Sequence, residues 1–175
     1  MTKGFLTSAT RSDIVIFACG NLSRGDDAIG PLLLERLEEW LNAQGIQEDF
    51  ELIYDYQFQI EHALDLEGRK LALFIDASVS ATAPFEFYHA LASKDVAYTS
   101  HTLSPEAVLG VWHKIKGETC PPSFVLSVRG ERFELGENLT QSAQQHRDAA
   151  FEYLRQLCQM PQPDIWMKLS AEFKY

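Results

Sequence analysis

A glycine-rich segment contains the first residues whose types suggest chemistry, because Asp26 and Asp27 stand together within residues 20–30. Glycines that lead into a helix often bind phosphate through free backbone N–H groups. This segment lacks the G-x-G-x-x-G and G-K-[ST] patterns of phosphate loops, and adjacent carboxylates would repel a phosphate. A nucleotide-binding domain is therefore disfavoured. The carboxylates either bind a cation or cap the following helix, and each cap would contribute about 0.3–1 kcal/mol.

Two further aspartates stand at the ends of predicted strands. Asp76 ends the apolar segment 71–76, and Asp55 lies near the end of the segment 50–56. A carboxylate at the end of a buried strand is costly unless it has a partner or a function, although aspartate is also common in turns. Asp76 is therefore a candidate site residue, and Asp55 is a weaker one.

A histidine near the next predicted helix adds a nitrogen ligand to this set. His101 lies in the segment 100–105, where Ser104 and Pro105 have the residue types that begin a helix. A lone histidine at such a position is more often a surface or core residue. Because this one follows the crossover from the Asp76 strand, it could reach the same crevice. Carboxylates and an imidazole together suit a divalent transition metal with positions left open for a substrate's ligands.

Strands that alternate with helices must position these residues. The expected strands are 13–19, which is β-branched and apolar, 50–56, 71–76, 84–90 as an edge strand, and 124–128. The expected helices run from near Asp27 to Gly45, over 60–66, from Ser104 to Gly117, and from Thr140 to the prolines at 161 and 163. This order predicts a single α/β domain over 1–175, with a core at about 13–158 and a tail at 159–175 that has no clear periodicity. Its twisted, mostly parallel sheet of about five strands would have helices on both faces. Ligands of such sheets bind beyond the carboxyl ends of the strands.

Composition narrows the classes of partner. The chain has 175 residues, of which 46% are hydrophobic and 23% charged, and its net charge is -10. Without a cluster of lysine and arginine, this acidity disfavours nucleic acid. No apolar run reaches the ~18–20 residues that span a bilayer, and the opening MTKGFLTSATRSD has no signal-peptide core. Three widely separated cysteines fit a reducing compartment, so we expect a cytoplasmic protein that does not bind membranes.

Several segments, taken in order, resemble the motifs of one enzyme family. Residues 20–31, GNLSRGDDAIGP, are similar to a G-N-x-x-x-G-D-[DE]-G-x-G-P loop, with alanine at position 28 in place of a common glycine. The further matches are QFQIEHALDL at 57–66, IDA around Asp76, SHTLSP at 100–105, and VRGERFELGENLT at 128–140, which resembles G-x-x-F-x-x-G-x-x-[LM]-[ST]. Over roughly residues 13–158, the chain resembles the hydrogenase maturation endopeptidases.

The resemblance implies a peptidase that removes the C-terminal extension from the large-subunit precursor of a nickel–iron hydrogenase after nickel insertion. Carried over by position, it assigns nickel contact and catalysis to Asp27, Asp76 and His101, and it suggests a catalytic role for Asp55. The family's nickel arrives with the precursor, so we expect nickel to be supplied by the substrate and not permanently bound. Three side chains without a further His or Cys cluster agree with this, since a structural metal site normally has four protein ligands. We expect a monomer.

A non-enzymatic chaperone and a serine or cysteine hydrolase are the alternatives to this peptidase. A nickel-sensing chaperone that binds the precursor without cleaving it could have the same site. A serine or cysteine hydrolase is disfavoured, because there is no G-x-S-x-G and Cys19 lies in a predicted buried strand, where thiols are usually inert. We therefore expect Cys19, Cys120 and Cys158 to be dispensable, on the ground that none stands beside a candidate base. The tail, with Trp166, Phe173 and Tyr175, either packs on the body or contacts the large subunit, and we expect it to pack on the body.

Overall fold

A single sheet forms the centre of the structure, a computed structural model that describes residues 11–94 and 103–173. Within those residues the strands are β1 (Ile14–Cys19), β2 (Phe50–Asp55), β3 (Leu71–Ser78), β4 (Phe85–Ala90) and β5 (Ser123–Arg129). Their order across the sheet is β2-β1-β3-β5-β4. All neighbours are parallel except β4, which runs antiparallel to β5 at the edge. The predicted five-stranded, mostly parallel sheet is confirmed, as is its edge strand.

Helices cover both faces of this sheet. They are α1 (Ile29–Gln44), α2 (Pro105–Lys116), α3 (Gln141–Gln159) and α4 (Pro163–Glu172), with 3₁₀ segments at Gly25–Ala28, Gln47–Asp49 and Ile60–Leu66. The first, third and fourth helices pack on one face, and α2 packs on the other together with Ile60–Leu66. In the part of the chain that the structure describes, no helix is long and apolar enough to cross a bilayer.

The first strand explains why the core has two halves. Every residue of β1 is buried. Because successive side chains of a strand point to opposite faces, Ile14, Ile16 and Ala18 enter the α1/α3 core. Val15, Phe17 and Cys19 enter the α2 core. Because β1 is buried on both faces, its sequence is an uninterrupted apolar run, as is usual for a central parallel strand.

Side-chain caps and glycines set the helix ends where the sequence predicted them. Ser104 accepts a hydrogen bond from the backbone N–H of Ala107 at 3.1 Å, with Pro105 as the first residue of α2. Gly117, with a φ of 65°, ends the same helix in the left-handed region. Thr140 caps α3 in the same way as Ser104 caps α2.

Three elements differ from the prediction in their type or their bounds. The helix expected near Asp27 begins as the 3₁₀ turn Gly25–Ala28, and α1 proper starts at Ile29. The helix over 60–66 is also a 3₁₀ segment. The third strand continues to Ser78, because Asp76 pairs with Ser127 and the ladder to β5 runs two residues further. Asp76 therefore lies inside the ladder and is held rigidly.

The sequence predicts no helix after the prolines at 161 and 163, but the structure has one over Pro163–Glu172. Pro163 does not end a helix but begins α4, since proline at a first helical position has no N–H to satisfy. Trp166 of α4 is fully buried, with its ring 5.6 Å from that of Phe124. The expectation that the tail packs on the body is confirmed.

Candidate active site

A pocket of about 430 Å³ opens beyond the carboxyl ends of the central strands. Its lining consists of Cys19, Arg24, Asp27, Tyr56, Gln57, Asp76, Ala77, Ser78, Val79 and Phe133. Two of the predicted residues, Asp27 and Asp76, therefore meet in one cavity. Parallel strands explain this meeting, because they bring their carboxyl ends to the same edge of the sheet.

The loop that precedes Asp27 holds its carboxylate. Oδ2 accepts a hydrogen bond from the backbone N–H of Asn21 at 2.9 Å. Gly20 permits this turn, because its φ is 145° and a Cβ there would lie 2.0 Å from the carbonyl oxygen of Asp27. Burial raises the pKa of Asp27, whereas the Asn21 N–H and the charge of Arg24 lower it. The hydrogen bond that the structure gives this carboxylate is to Asn21 in the loop, and the N-cap residue of α1 is Ala28.

Asp26 is fully buried and holds two loops together. Its Oδ2 accepts hydrogen bonds from the backbone N–H groups of Glu131 and Arg132 at 2.7 and 3.1 Å. Thr140 donates its N–H to Oδ1 at 2.8 Å and its hydroxyl to Oδ2 at 3.0 Å. Burial alone would raise the pKa of Asp26, but these hydrogen bonds outweigh it and lower the pKa. The two adjacent aspartates therefore differ: Asp26 is engaged by backbone, and Asp27 lines the pocket.

Asp76 accepts a hydrogen bond from a cysteine on the neighbouring strand. The Sγ of Cys19 donates to Oδ1 of Asp76 at 3.4 Å. Burial raises the pKa of Asp76 to about 6; the thiol and the Ala77 N–H lower it, while the charge of Asp27 raises it further. Burial and the charge of Asp76 raise the pKa of the Cys19 thiol, which makes it a donor and a poor nucleophile.

The expectation that no cysteine stands beside a candidate base is therefore wrong for Cys19. Ala18 of β1 pairs with Ile75 of β3, so the next residues, Cys19 and Asp76, lie on the same face of the sheet. The alternation of side chains along the two predicted strands could have indicated this from the sequence. Cys158, in contrast, is buried in the α1/α3 core on the opposite face of the sheet.

Asp55 lies at the end of β2, but its carboxylate bonds to the segment that follows. Oδ1 accepts from the Tyr56 N–H at 2.7 Å, and Oδ2 accepts from the Gln59 side chain at 3.2 Å. His62 accepts the Gln59 N–H at its Nδ1, so Nε2 is the protonated nitrogen of the neutral ring and lies 3.5 Å from Oδ2. Asp55 is not among the described residues that line the pocket. It bonds to the backbone of Tyr56, which does line it.

His101 lies outside the described residues, so its metal contact stays a prediction. Within residues 11–94 and 103–173, no group of three His, Cys, Asp or Glu side chains is arranged to hold a metal ion. Asp27 and Asp76 are the two predicted ligands that the structure brings to one pocket.

Arg24 and Phe133 are among the pocket residues that were not predicted from the sequence. Arg24 donates its Nε hydrogen to the backbone carbonyl of Phe133 at 3.2 Å, and both residues line the pocket. Both lie in segments that match the family motifs, but those segments are more than a hundred positions apart. Long-range hydrogen bonds, those of Asp26 among them, bring the two segments together, and no local pattern in the sequence reports such contacts.

Several solved structures share the fold, whereas no family model and no curated protein matches the chain. The [NiFe] hydrogenase maturation protease HycI from Thermococcus kodakarensis is 24% identical with a TM-score of 0.61, over 85% of this chain and 92% of that one. The hydrogenase maturating endopeptidase HybD from E. coli is also 24% identical, with a TM-score of 0.61 over 83% and 92%. A hydrogenase 2 maturation peptidase from a Thaumarchaeota archaeon is 16% identical, with a TM-score of 0.58 over 84% and 98%. The chain has the fold of these maturation proteases.

Proposed function

We propose that this chain is a cytoplasmic, monomeric endopeptidase that removes the C-terminal extension from the large-subunit precursor of a nickel–iron hydrogenase once nickel is in place. One observation carries this proposal. Asp27 and Asp76 line one open pocket at the carboxyl end of a sheet whose fold is that of known hydrogenase maturation proteases.

Nickel is part of the substrate in this proposal. Asp27 and Asp76 supply carboxylate oxygens, and His101 is the predicted nitrogen ligand. Such a mixed O/O/N set suits a divalent transition metal but is too small to close a structural cage. The remaining ligands come from the precursor, so tight binding requires a nickel-loaded precursor. Metal loading thereby becomes a checkpoint for cleavage.

Asp76 is the carboxylate best suited to take a proton from the attacking water. Its pKa of about 6, raised mainly by burial, is closer to neutral pH than that of an ordinary aspartate. The water oxygen bonds to the scissile carbonyl carbon while a water proton passes to Asp76. As the C–N bond breaks, Asp76 returns that proton to the leaving amine. The products are the trimmed large subunit and the released extension.

Exposed apolar side chains beside the carboxylates favour a polypeptide substrate. Tyr56 and Val79 both line the pocket, and 66% and 57% of their surfaces are exposed. The ring of Tyr54 lies 6.1 Å from that of Tyr56 and extends this apolar rim. A polar centre with an apolar, aromatic surround is typical of surfaces that bind a protein chain.

Intact-mass spectrometry of a nickel-loaded precursor tests the proposal. Incubation with the protein should shorten the precursor by one C-terminal fragment and release that fragment as a second product. A stable complex without any mass loss would contradict the peptidase and support the nickel-sensing chaperone.

A further inference from the structure

We propose that Cys19 is a positioning residue, whose thiol hydrogen bond fixes the Asp76 carboxylate in the orientation that the pocket requires. This inference rests on the proposed function, in which Asp76 contacts the substrate's nickel and takes a proton. It assigns a role to a cysteine that neither attacks the substrate nor binds metal.

The register of the sheet places Cys19 between two carboxylates. Cys19 pairs with Asp55 on β2. On the other side, Ala18 pairs with Ile75, so the next residue along each strand brings Cys19 beside Asp76. Neighbouring strands lie about 4.8 Å apart, and directly opposite residues share a face. The thiol therefore separates two acidic side chains at the edge where the pocket opens.

The hydrogen bond engages one oxygen of Asp76 from within the core. The Sγ of Cys19 lies 3.4 Å from Oδ1. Among the described residues, Cys19 is the side chain that donates to this carboxylate. Only 5% of Cys19 is exposed, and its neighbours in the α2 core restrict its side chain. The thiol and the Ala77 N–H therefore orient the carboxylate at the pocket where it would meet nickel and water.

Hydrogen bonds that orient a metal-contacting side chain affect activity and metal affinity in other proteins. Removing the partner of a ligating side chain typically lowers activity or metal affinity about 10–100-fold, because the ligand loses its fixed orientation. Serine keeps a donor at the same position, alanine removes it, and valine removes it while filling the space. These three replacements separate hydrogen bonding from packing.

The first experiment measures kcat/KM for cleavage of nickel-loaded precursor. Cys19→Ala and Cys19→Val should each lose about 10–100-fold while remaining folded, and Cys19→Ser should stay within about 3-fold of wild type. Cys158→Ala is the matched control, because it deletes a buried thiol from the opposite core. That variant should cleave as wild type does. An alanine variant as active as wild type, or a serine variant as impaired as the alanine variant, would overturn the inference.

A second experiment needs no precursor and therefore tests the thiol apart from the proposed function. The infrared S–H stretch of Cys19 is recorded in a Cys120→Ser/Cys158→Ser background, where it is the remaining thiol. Asp76→Leu removes the acceptor, so the band should move to higher frequency, as it does when a thiol loses a hydrogen bond. An unchanged band in a folded variant would overturn the inference. Failure of the wild-type protein to cleave, in contrast, would refute the proposed function and leave the infrared result standing.

Discussion

At the scale of single residues, the pocket holds carboxylates in surroundings that disfavour their charge. Burial raises the pKa values of both Asp27 and Asp76, that of Asp76 to about 6. Asp26, one position away from Asp27, has a lowered pKa because backbone N–H groups and a hydroxyl surround it. Perturbed carboxylates that share a cleft are characteristic of functional sites. The contrast separates Asp26, which is engaged by backbone N–H groups, from Asp27, which lines the pocket.

Replacing Asp27 by asparagine tests the functional assignment. The change keeps the size of the side chain and removes the charge that contacts the substrate's nickel in the proposed function, so cleavage should be abolished. Folding should persist, because the single hydrogen bond from Asn21 contributes only about 1 kcal/mol. Precursor cleavage and circular dichroism give the two readouts. His101→Ala is expected to behave in the same way, whereas a cleaving Asp27→Asn variant would leave the carboxylate without a role in the reaction.

The raised pKa of Asp76 predicts a stability that depends on pH. A folded pKa of about 6, against 3.8 for the ordinary group, means that the folded state binds this proton more tightly than the unfolded state. The resulting stabilisation is complete below the ordinary pKa and is lost as the pH rises through the folded one. The Asp76→Asn side chain does not titrate, so this loss of stability is absent from the variant. The melting temperature of wild type should therefore fall relative to that of the variant as the pH rises from about 4 to about 7.5. A difference that stays constant with pH would contradict the shift.

Some site residues could be predicted from the sequence and others could not. Asp76 ends an apolar segment of the sequence and Asp27 follows another, so strand order places both at the same edge. The separate roles of Asp26 and Asp27 are not visible in the sequence, because both are the same residue type and the partners of Asp26 lie around 131–140. Cys19 was set aside as a buried thiol, although strand alternation would have placed it beside Asp76.

At the scale of elements, two loops form one wall of the pocket by bonding to each other. The backbone N–H of Gly25 donates to the carbonyl of Glu137 at 3.0 Å, and that of Gly136 donates to the carbonyl of Ser23 at 2.8 Å. Asp26 adds side-chain bonds to the same contact. Gly30 lets α1 start against β1, since a Cβ there would lie 2.3 Å from the carbonyl oxygen of Cys19. Asp27 therefore depends on contacts that its own loop makes with residues 130–140.

Asp26→Asn should loosen this wall and destabilise the protein. An amide can accept at one atom only, so buried N–H donors around residue 26 lose their acceptor, at a cost of about 1–3 kcal/mol. Urea unfolding measures the change. The control is Asp49→Asn, an exposed aspartate, which should alter stability by less than about 0.5 kcal/mol. Equal stability of the two variants would contradict the role of Asp26.

The predictability of the elements followed the strength of their local signals. Ser104 and Thr140 cap their helices where the sequence placed them, because a cap is a short-range interaction. Pro163 was predicted to end α3, but it begins α4. Proline is common both just after a helix and at the first position of one, so its type alone does not decide between the two. The choice depended on burial of Trp166 against the sheet, which is a tertiary contact that no short window contains.

At the scale of the whole molecule, α4 completes the core on the α1/α3 face. The indole N–H of Trp166 lies 3.1 Å from the carbonyl oxygens of both Leu157 and Met160. Its ring packs against Phe87 and Phe124 of the edge and neighbouring strands. The fold class itself was predictable, because alternating strands and helices permit few arrangements. No comparable periodicity predicts a helix over residues 163–172, although packing of Trp166 on the body was expected.

Trp166→Ala should therefore cost far more stability than its position near the end of the chain suggests. Deleting a fully buried indole from a packed core lowers the free energy of unfolding by about 3–5 kcal/mol. Met167→Ala is the matched control in the same helix, because 39% of Met167 is exposed. That variant should lose only about 0.5 kcal/mol. Similar denaturation midpoints for the two variants would show that α4 contributes little to the core.

The most direct test of the central claim, that nickel reaches this pocket as part of the substrate, is a crossed metal-removal measurement read by intact mass of the precursor. Chelator-treated protease is mixed with nickel-loaded precursor, and untreated protease with nickel-stripped precursor. If nickel arrives with the substrate, the precursor in the first mixture loses its C-terminal extension at the wild-type rate, and the precursor in the second stays uncleaved. The opposite pattern, with activity lost when one tightly held zinc is removed from the protease, would contradict it and indicate a conventional metallopeptidase.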